Sequence, residues 1–316
     1  MCSVVFFGTD EFAAYILEKL LDNGINVKAV VTKPDRAKHR NKQLLPTKVK
    51  EMLLLRGLSI PLHQVEKAST AEFATTLRGY SPDLFLVVSY GEIISEELLA
   101  IPKILPINIH PSLLPKYRGA SPLRSALLAG EKEIGVAIIE MVKAMDAGDI
   151  LALERLEVFE GENHSMLQER VFKKSSEMLL KLIYELSKGI IHKVKQIGEV
   201  TFTKKFTKED TRIDWSENVF KIAAKINAFG DTPGAFCMIK LGDTSLMLKI
   251  TKAKVVSDKS STFFGTKTFS KLEGWIIVCN GGLLQILQVQ KENKKLMEVQ
   301  DFINGSHQQA PLLVIE

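Results

Sequence analysis

The 316-residue chain reads as an α/β protein with a mostly parallel sheet, followed by a small C-terminal β-barrel. Three observations predict this. The first half carries short runs that are apolar on both faces, separated by segments of helical periodicity. That is the pattern of parallel strands covered by helices on both sides. The last third switches to short strands punctuated by glycine turns, which suits a small barrel. Between them a long amphipathic segment and a charged stretch place the boundary near residues 190–205.

Residues 4–7 form an apolar run that ends at Gly8. Thr9 is placed to cap a helix whose first turn carries Asp10 and Glu11. Phe12, Ala13, Ile16, Leu17, Leu20 and Leu21 then recur at helical spacing, and Gly24 stops the helix. Residues 27–32 make a second strand. A polar, basic stretch over 33–45 leads into a helix of roughly 47–56. Residues 84–89 are too apolar to have a wet face, and 106–110 and 135–141 read as further strands. The result is a Rossmann-like sheet. The amphipathic segment 164–188 ends at Gly189. The charged stretch 201–214 contains Lys204, Lys205 and Lys208. Short strands follow at 236–240, 246–250, 275–279 and 283–289, with turns at Gly242-Asp243 and Gly281-Gly282.

Bulk properties narrow the class. Hydrophobic residues at 46% and charged residues at 25% match a soluble globular protein. A net charge of +5 is compatible with a nucleic-acid partner without requiring one. Cys2, Cys237 and Cys279 are too widely spaced for a disulfide framework or a zinc site, so a reducing, cytoplasmic setting is expected. No signal peptide, membrane-spanning run or repeat is visible.

The most informative segment is Ile107-Asn108-Ile109-His110. Strand alternation puts Asn108 and His110 on one face, and Pro111 ends the strand. In open parallel sheets ligands bind beyond the carboxyl ends of strands, so an amide and an imidazole converge where a site is expected. A polar face turned to solvent at a sheet edge remains the other reading of these residues. Asp146 follows the strand at 135–141; beside an imidazole it orients the ring and favours its charged form, and otherwise it is a turn residue before a glycine. Ser112, Leu113, Leu114 and Pro115 form a loop stiffened by prolines at 111 and 115. It either presents backbone groups and two leucines to a flat ligand or simply connects strand to helix.

Asn108 through Ala120 (NIHPSLLPKYRGA), together with Met145-Asp146-Ala147-Gly148-Asp149, resembles the signature of the folate-dependent formyltransferases. The resemblance implies that Asn108, His110 and Asp146 form a catalytic triad. It implies that Ser112, Leu113, Leu114 and Pro115 contact tetrahydrofolate, and that Val87, Val88, Ser89, Tyr90 and Gly91 line a pteridine pocket. Three further stretches resemble the methionyl-tRNA branch of that family. They are Val5-Phe6-Phe7-Gly8-Thr9 with Phe12-Ala13, the basic loop from Thr32-Lys33-Pro34-Asp35-Arg36 to Arg40 and Lys42, and Arg212-Ile213-Asp214-Trp215-Ser216 with Pro233-Gly234-Ala235-Phe236. The chain departs from the family at Ala37-Lys38-His39, at Gly230-Asp231-Thr232 and at Ala137.

The resemblance implies a catalytic domain over 1–189, a linker over 190–205 and an OB-like, tRNA-binding barrel over 206–316. The implied co-substrate is 10-formyltetrahydrofolate, with no metal, and the implied acceptor is initiator methionyl-tRNA. Arg36, Lys38, Arg40 and Lys42 are the implied tRNA contacts, and a monomer is expected. The nearest alternative is an amino-sugar nucleotide N-formyltransferase. A dinucleotide-dependent dehydrogenase is disfavoured because Gly8 is not followed by the rest of a G-x-G-x-x-G loop. A non-catalytic tRNA-binding protein is disfavoured by the intact Asn108, His110 and Asp146.

Overall fold

The computed structural model describes residues 2–37, 44–230, 232–241, 244–257, 267–270, 274–305 and 312–313. The chain sorts into two compact units, each assembled from three stretches. One contains Met1–Gly119, Gly135–Leu156 and Arg170–Phe202, and the other Ala120–Ile134, Glu157–Glu169 and Thr203–Glu316. In chain order the elements begin with β1 (Ser3–Gly8), α1 (Glu11–Asp22), β2 (Asn26–Thr32), β3 (Arg36–Ala37), β4 (Leu44–Leu45), α2 (Lys48–Leu55) and β5 (Leu62–Gln64). They continue with α3 (Ala71–Gly79), β6 (Leu84–Val88), α4 (Glu96–Leu99), β7 (Leu105–His110), β8 (Arg118–Gly119), α5 (Pro122–Leu128), β9 (Glu133–Glu140) and β10 (Ile150–Glu157). Then come α6 (His164–Ser187), β11 (Phe202–Thr203), α7 (Val219–Phe229), β12 (Ala235–Leu241), β13 (Thr244–Ser257) and β14 (Lys267–Ser270). The last are β15 (Gly274–Cys279), β16 (Gly282–Lys291), β17 (Met297–Glu298), α8 (Val299–Gly305) and β18 (Leu312–Leu313).

The first unit is organised by a sheet of order β10-β9-β7-β6-β1-β2-β5. β1 pairs in parallel with β2 and β6, β6 with β7, and β2 with β5. Every residue of β1 and β6 is buried, as the two-sided apolar runs require. β9 lies antiparallel to β7; a run apolar on both faces does not encode its own direction. α1 turns Phe12, Ala13, Ile16, Leu17 and Leu20 inward, and each large side chain so buried contributes about 1.5–3 kcal/mol. Its cap corrects the sequence expectation. Asp10, extended at φ −93° and ψ −169°, accepts the Ala13 N–H, while the Thr9 hydroxyl donates to the Tyr90 carbonyl. The first of two adjacent short polar residues is thus drawn off by a tertiary partner.

The second unit has the sheet order β14-β15-β16-β13-β12-β18, with β17 on β16. It is strand-rich and its neighbours are antiparallel. β13 runs for 14 residues, far beyond the expected 246–250, and its register with β16 shifts at three places. Such bulges bend a strand and increase its twist, and they also break the alternation by which its length could have been read. α7, capped by Asn218, lays Val219, Ile222, Ile226 and Phe229 against the core around Trp275. Leu128 of α5 packs on the same cluster. Among the described residues no helix is long and apolar enough to cross a membrane.

Candidate active site

β7 delivers two polar side chains to one face. Asn108 is half-buried and His110 is buried. Their neighbours in the sheet are Val87 of β6 opposite Asn108, and Ile139 and Ala137 of β9 opposite Asn108 and His110. Because β9 is antiparallel, its carboxyl end lies beside Ile107 and Pro106 rather than beside His110. The segment after β9 therefore turns back to bring Asp146 to the pair. Asp146 Oδ1 lies 3.4 Å from Asn108 Nδ2. Its Oδ2 accepts the Gly119 N–H at 2.8 Å and lies 3.6 Å from His110 Nδ1, a distance for charge attraction rather than a hydrogen bond.

The histidine's other nitrogen fixes its proton inventory. His110 Nε2 sits 2.9 Å from the Tyr117 carbonyl oxygen, which can only accept. Nε2 therefore carries a hydrogen, and Nδ1 is the nitrogen that faces Asp146. Asp146 adopts φ +50°, a left-handed conformation that costs a non-glycine residue roughly 1 kcal/mol or more. Gly148 allows the turn to close: a Cβ there would lie 1.8 Å from the Glu140 carbonyl oxygen.

The remaining expected site residues are placed unequally. In the loop after β7, Leu114 and Pro115 are buried, Leu114 among Ala137, Ile139 and Ile150. The buried Ser112 hydroxyl donates to the Lys116 carbonyl. Leu113, half-buried over Gly135, is the one leucine of the pair left partly open. At the end of β6, Val87 and Val88 are buried; beyond it Ser89 and Gly91 are exposed at positive φ, and the Tyr90 ring turns into the core against Phe7. Burial pushes the Tyr90 phenol well up. Asp10, whose carboxyl burial also raises, bonds the Ser89 side chain.

The basic loop is described only at its stem, where Arg36 and Ala37 pair with Leu45 and Leu44. Lys33 reaches Glu92 at 2.7 Å and lies over the Tyr90 ring. Asp35 is held by Lys50 and Gln64, which depress its carboxyl. Arg36 pairs with Glu66 in an exposed bridge at 3.1 Å, an interaction weak enough to exchange partners. Lys38, Arg40 and Lys42 lie outside the described residues.

The sequence reading missed Gln196. Arg118 donates to its Oε1 from Nε at 3.2 Å and Nη2 at 2.7 Å. Its Nε2 donates to the carbonyls of Asp146 and Gly148, both at 2.8 Å. Thr201 was missed likewise; its hydroxyl accepts the Tyr117 N–H and its carbonyl the Arg118 N–H. Nothing local marks either residue, since their partners are 48 or more positions away. Among the described residues no three His, Cys, Asp or Glu side chains gather as a metal-binding group.

A buried His beside half-buried Asn and Asp side chains is an arrangement that can stabilise charge on an acyl oxygen and move a proton. A family model described as formyl transferase matches residues 1–183, and one described as formyl transferase, C-terminal domain, matches 205–307. A methionyl-tRNA formyltransferase of Protochlamydia amoebophila is 38% identical, covering 96% of this chain and 94% of that one. The Thermotoga maritima protein of that name is 37% identical, covering 96% and 95%. Among solved structures, an N-formyltransferase from Helicobacter canadensis, in complex with folinic acid and dTDP-3-aminofucose, superposes with a TM-score of 0.63 at 19% identity, covering 92% of this chain and all of that one. HypX of Aquifex aeolicus with tetrahydrofolic acid gives a TM-score of 0.62 at 18% identity, covering 97% and 47%. The structural likenesses speak for the fold, the sequence matches for descent, and together they establish that the chain belongs to the formyl transferase family.

Proposed function

We propose that the protein transfers the formyl group of 10-formyltetrahydrofolate to the α-amino group of methionine on initiator tRNA, acting as a cytoplasmic monomer. The observation that carries this reading is the end-to-end similarity to relatives named for that activity, at 38% identity over 96% of the chain. The sugar-modifying relatives share the fold at 19% identity. The segments after β6 and β7 suit a folate ring, which needs an apolar wall and a few polar partners. Val87 and Leu113 are apolar, and Ser89 and Gly91 are exposed on irregular backbone.

In the reaction the neutral amine attacks the formyl carbon, a carbon–nitrogen bond forms, and negative charge gathers on the formyl oxygen. Asn108 Nδ2 and His110 Nδ1–H are the donors for that oxygen; one such donor is worth roughly 3 kcal/mol in comparable sites. With Nε2–H committed to Tyr117, a proton on Nδ1 makes the ring a cation that faces the Asp146 carboxylate at 3.6 Å. The bond from the formyl carbon to the folate nitrogen then breaks. The proton released by the amine returns to that nitrogen, with Asp146 and an ordered water as the relay. Arg36, Lys38, Arg40 and Lys42 contact the acceptor end, and residues 206–316 add tRNA affinity while the chemistry stays with the N-terminal part.

The test is mass spectrometry of methionyl-tRNA after incubation with 10-formyltetrahydrofolate and the protein, with an amino-sugar nucleotide offered in parallel. Formylmethionyl-tRNA is the expected product; formylation of the sugar alone refutes the proposal. His110→Ala is expected to lose most transfer while folate still binds, and a near wild-type rate would remove His110 from the chemistry.

A further inference from the structure

The segment leaving α6 is not a passive connector in this fold. Val194 exchanges both backbone hydrogen bonds with Ile150, and Lys193 reaches Glu140 at 2.6 Å. These contacts clip the segment to the two strands, β9 and β10, that flank the Asp146 turn. Further on, Thr201 takes the Tyr117 and Arg118 amides. The segment thus spans two loops that both touch the candidate catalytic groups: 115–119, whose Tyr117 carbonyl fixes His110, and 141–149, which carries Asp146.

Gln196 lies between these clips, and its amide is used at both ends. The carboxamide oxygen takes a forked pair of bonds from Arg118, and both amide hydrogens go to carbonyls of the Asp146 turn, one from Asp146 itself. A guanidinium can only donate and a carbonyl can only accept, so the orientation of the amide is determined by its partners. Asp146 needs such support because its left-handed backbone persists only where the surroundings over-determine it.

We propose that Gln196 is a positioning residue for formyl transfer: it joins Arg118 to the Asp146–Gly148 turn and holds the Asp146 carboxylate at His110 and Asn108. This rests on the function proposed above. It predicts that Gln196 acts on the chemical step and not on binding, because none of its partners lies in the segments assigned to folate or tRNA other than through Asp146.

Two variants separate the amide's roles. Gln196→Met keeps the length and removes every hydrogen bond. Gln196→Glu keeps an acceptor for Arg118 but removes both donors and sets a negative charge against two carbonyls. Gln196 is half-buried and residues 193–195 and 197–200 are exposed, so melting temperature is measured alongside the rates to separate any loss of packing. The full-length wild type is assayed first for formylmethionyl-tRNA; if it makes none, the functional reading fails and this inference is not what failed. Given an active wild type, both variants should lose about tenfold to a hundredfold in kcat, the scale of an ångström-level misplacement, with KM for both substrates unchanged. Gln196→Met should also speed hydrogen exchange at the Gly119 amide, which is bonded to Asp146 Oδ2. Placed on an Asp146→Ala background, Gln196→Met should cost nothing further. Wild-type kcat in both variants, an unchanged Gly119 exchange rate, or a loss expressed in KM overturns the proposal.

Discussion

Gly148 tests whether the Asp146 turn has any slack. It lies two residues past Asp146, and a methyl group on it would fall 1.8 Å from the Glu140 carbonyl oxygen and 2.8 Å from its carbonyl carbon. A carbon and a carbonyl oxygen rarely approach closer than about 3.3 Å, so Gly148→Ala demands roughly 1.5 Å of new room. Glu140 cannot supply it, because it is the last residue of β9, in register with Ile107 and bonded to Asp149. The turn must therefore lift, carrying Asp146 away from Asn108 and His110. A displacement of that size is worth about a hundredfold in rate, or about 2.7 kcal/mol. The assay is steady-state formylation of methionyl-tRNA with folate affinity measured separately on the same preparation. A fall in kcat with intact folate affinity is expected. Gly148→Ala within threefold of wild type, in folded protein, would show that Asp146 tolerates movement and would refute the reasoning.

Three other outcomes are expected. His164 is buried and held down to about 3 by burial and by the neighbouring Arg124 charge, so below about 6.5 the unfolded chain binds a proton that the folded chain refuses. Its neutral form favours the fold fully above 6.5, and that margin is lost progressively as pH falls toward 3; between pH 7.5 and 5 about 2 kcal/mol should go. Urea midpoints at the two pH values should move together more closely in His164→Gln, and an unchanged gap contradicts the assignment. Gly135→Ala puts a methyl group 2.4 Å from Leu113 Cδ2 and 3.1 Å from its backbone nitrogen, and overpacking of about 1–3 kcal/mol should weaken folate binding tenfold or more by equilibrium titration; unchanged affinity would remove the loop after β7 from the folate site. Arg40→Ala should reduce discrimination between initiator and elongator methionyl-tRNA at fixed salt, and Lys42→Ala should lower the salt slope of tRNA binding by about one; equal selectivity and an unchanged slope return that loop to a solvated connection.

Much of the first sheet was legible because runs such as 4–7 and 84–88 leave no choice of environment. The pairing of Asn108 with His110 was legible for an equally simple reason, since a period of two puts them on one face. The direction of β9 was not, because nothing in an apolar run distinguishes parallel from antiparallel pairing. The cap of α1 was missed by one residue because Thr9 and Asp10 have similar local chemistry and only the Tyr90 carbonyl separates them. The folate segments were expected to act as whole stretches, yet Leu114 and Tyr90 point into the core. Gln196 lay beyond reach in a segment read as a linker, because its worth depends on carbonyls 48 and 50 residues away.

The interleaving of the two units bears on how the chain folds as it is made. α5 buries Pro122, Leu123, Ala126 and Leu127, and Leu128 packs on a core supplied by α7 and the strands after it. On the ribosome, α5 emerges about 100 residues before the end of α7, a wait of roughly 5–20 s at ordinary synthesis rates. During that interval Leu128 lacks the core it joins, and the first unit is itself incomplete until residue 202 emerges. The nascent chain therefore carries α5 through the middle of its own synthesis before the core that receives Leu128 exists, so completion of that core waits on residues made long after residues 120–134.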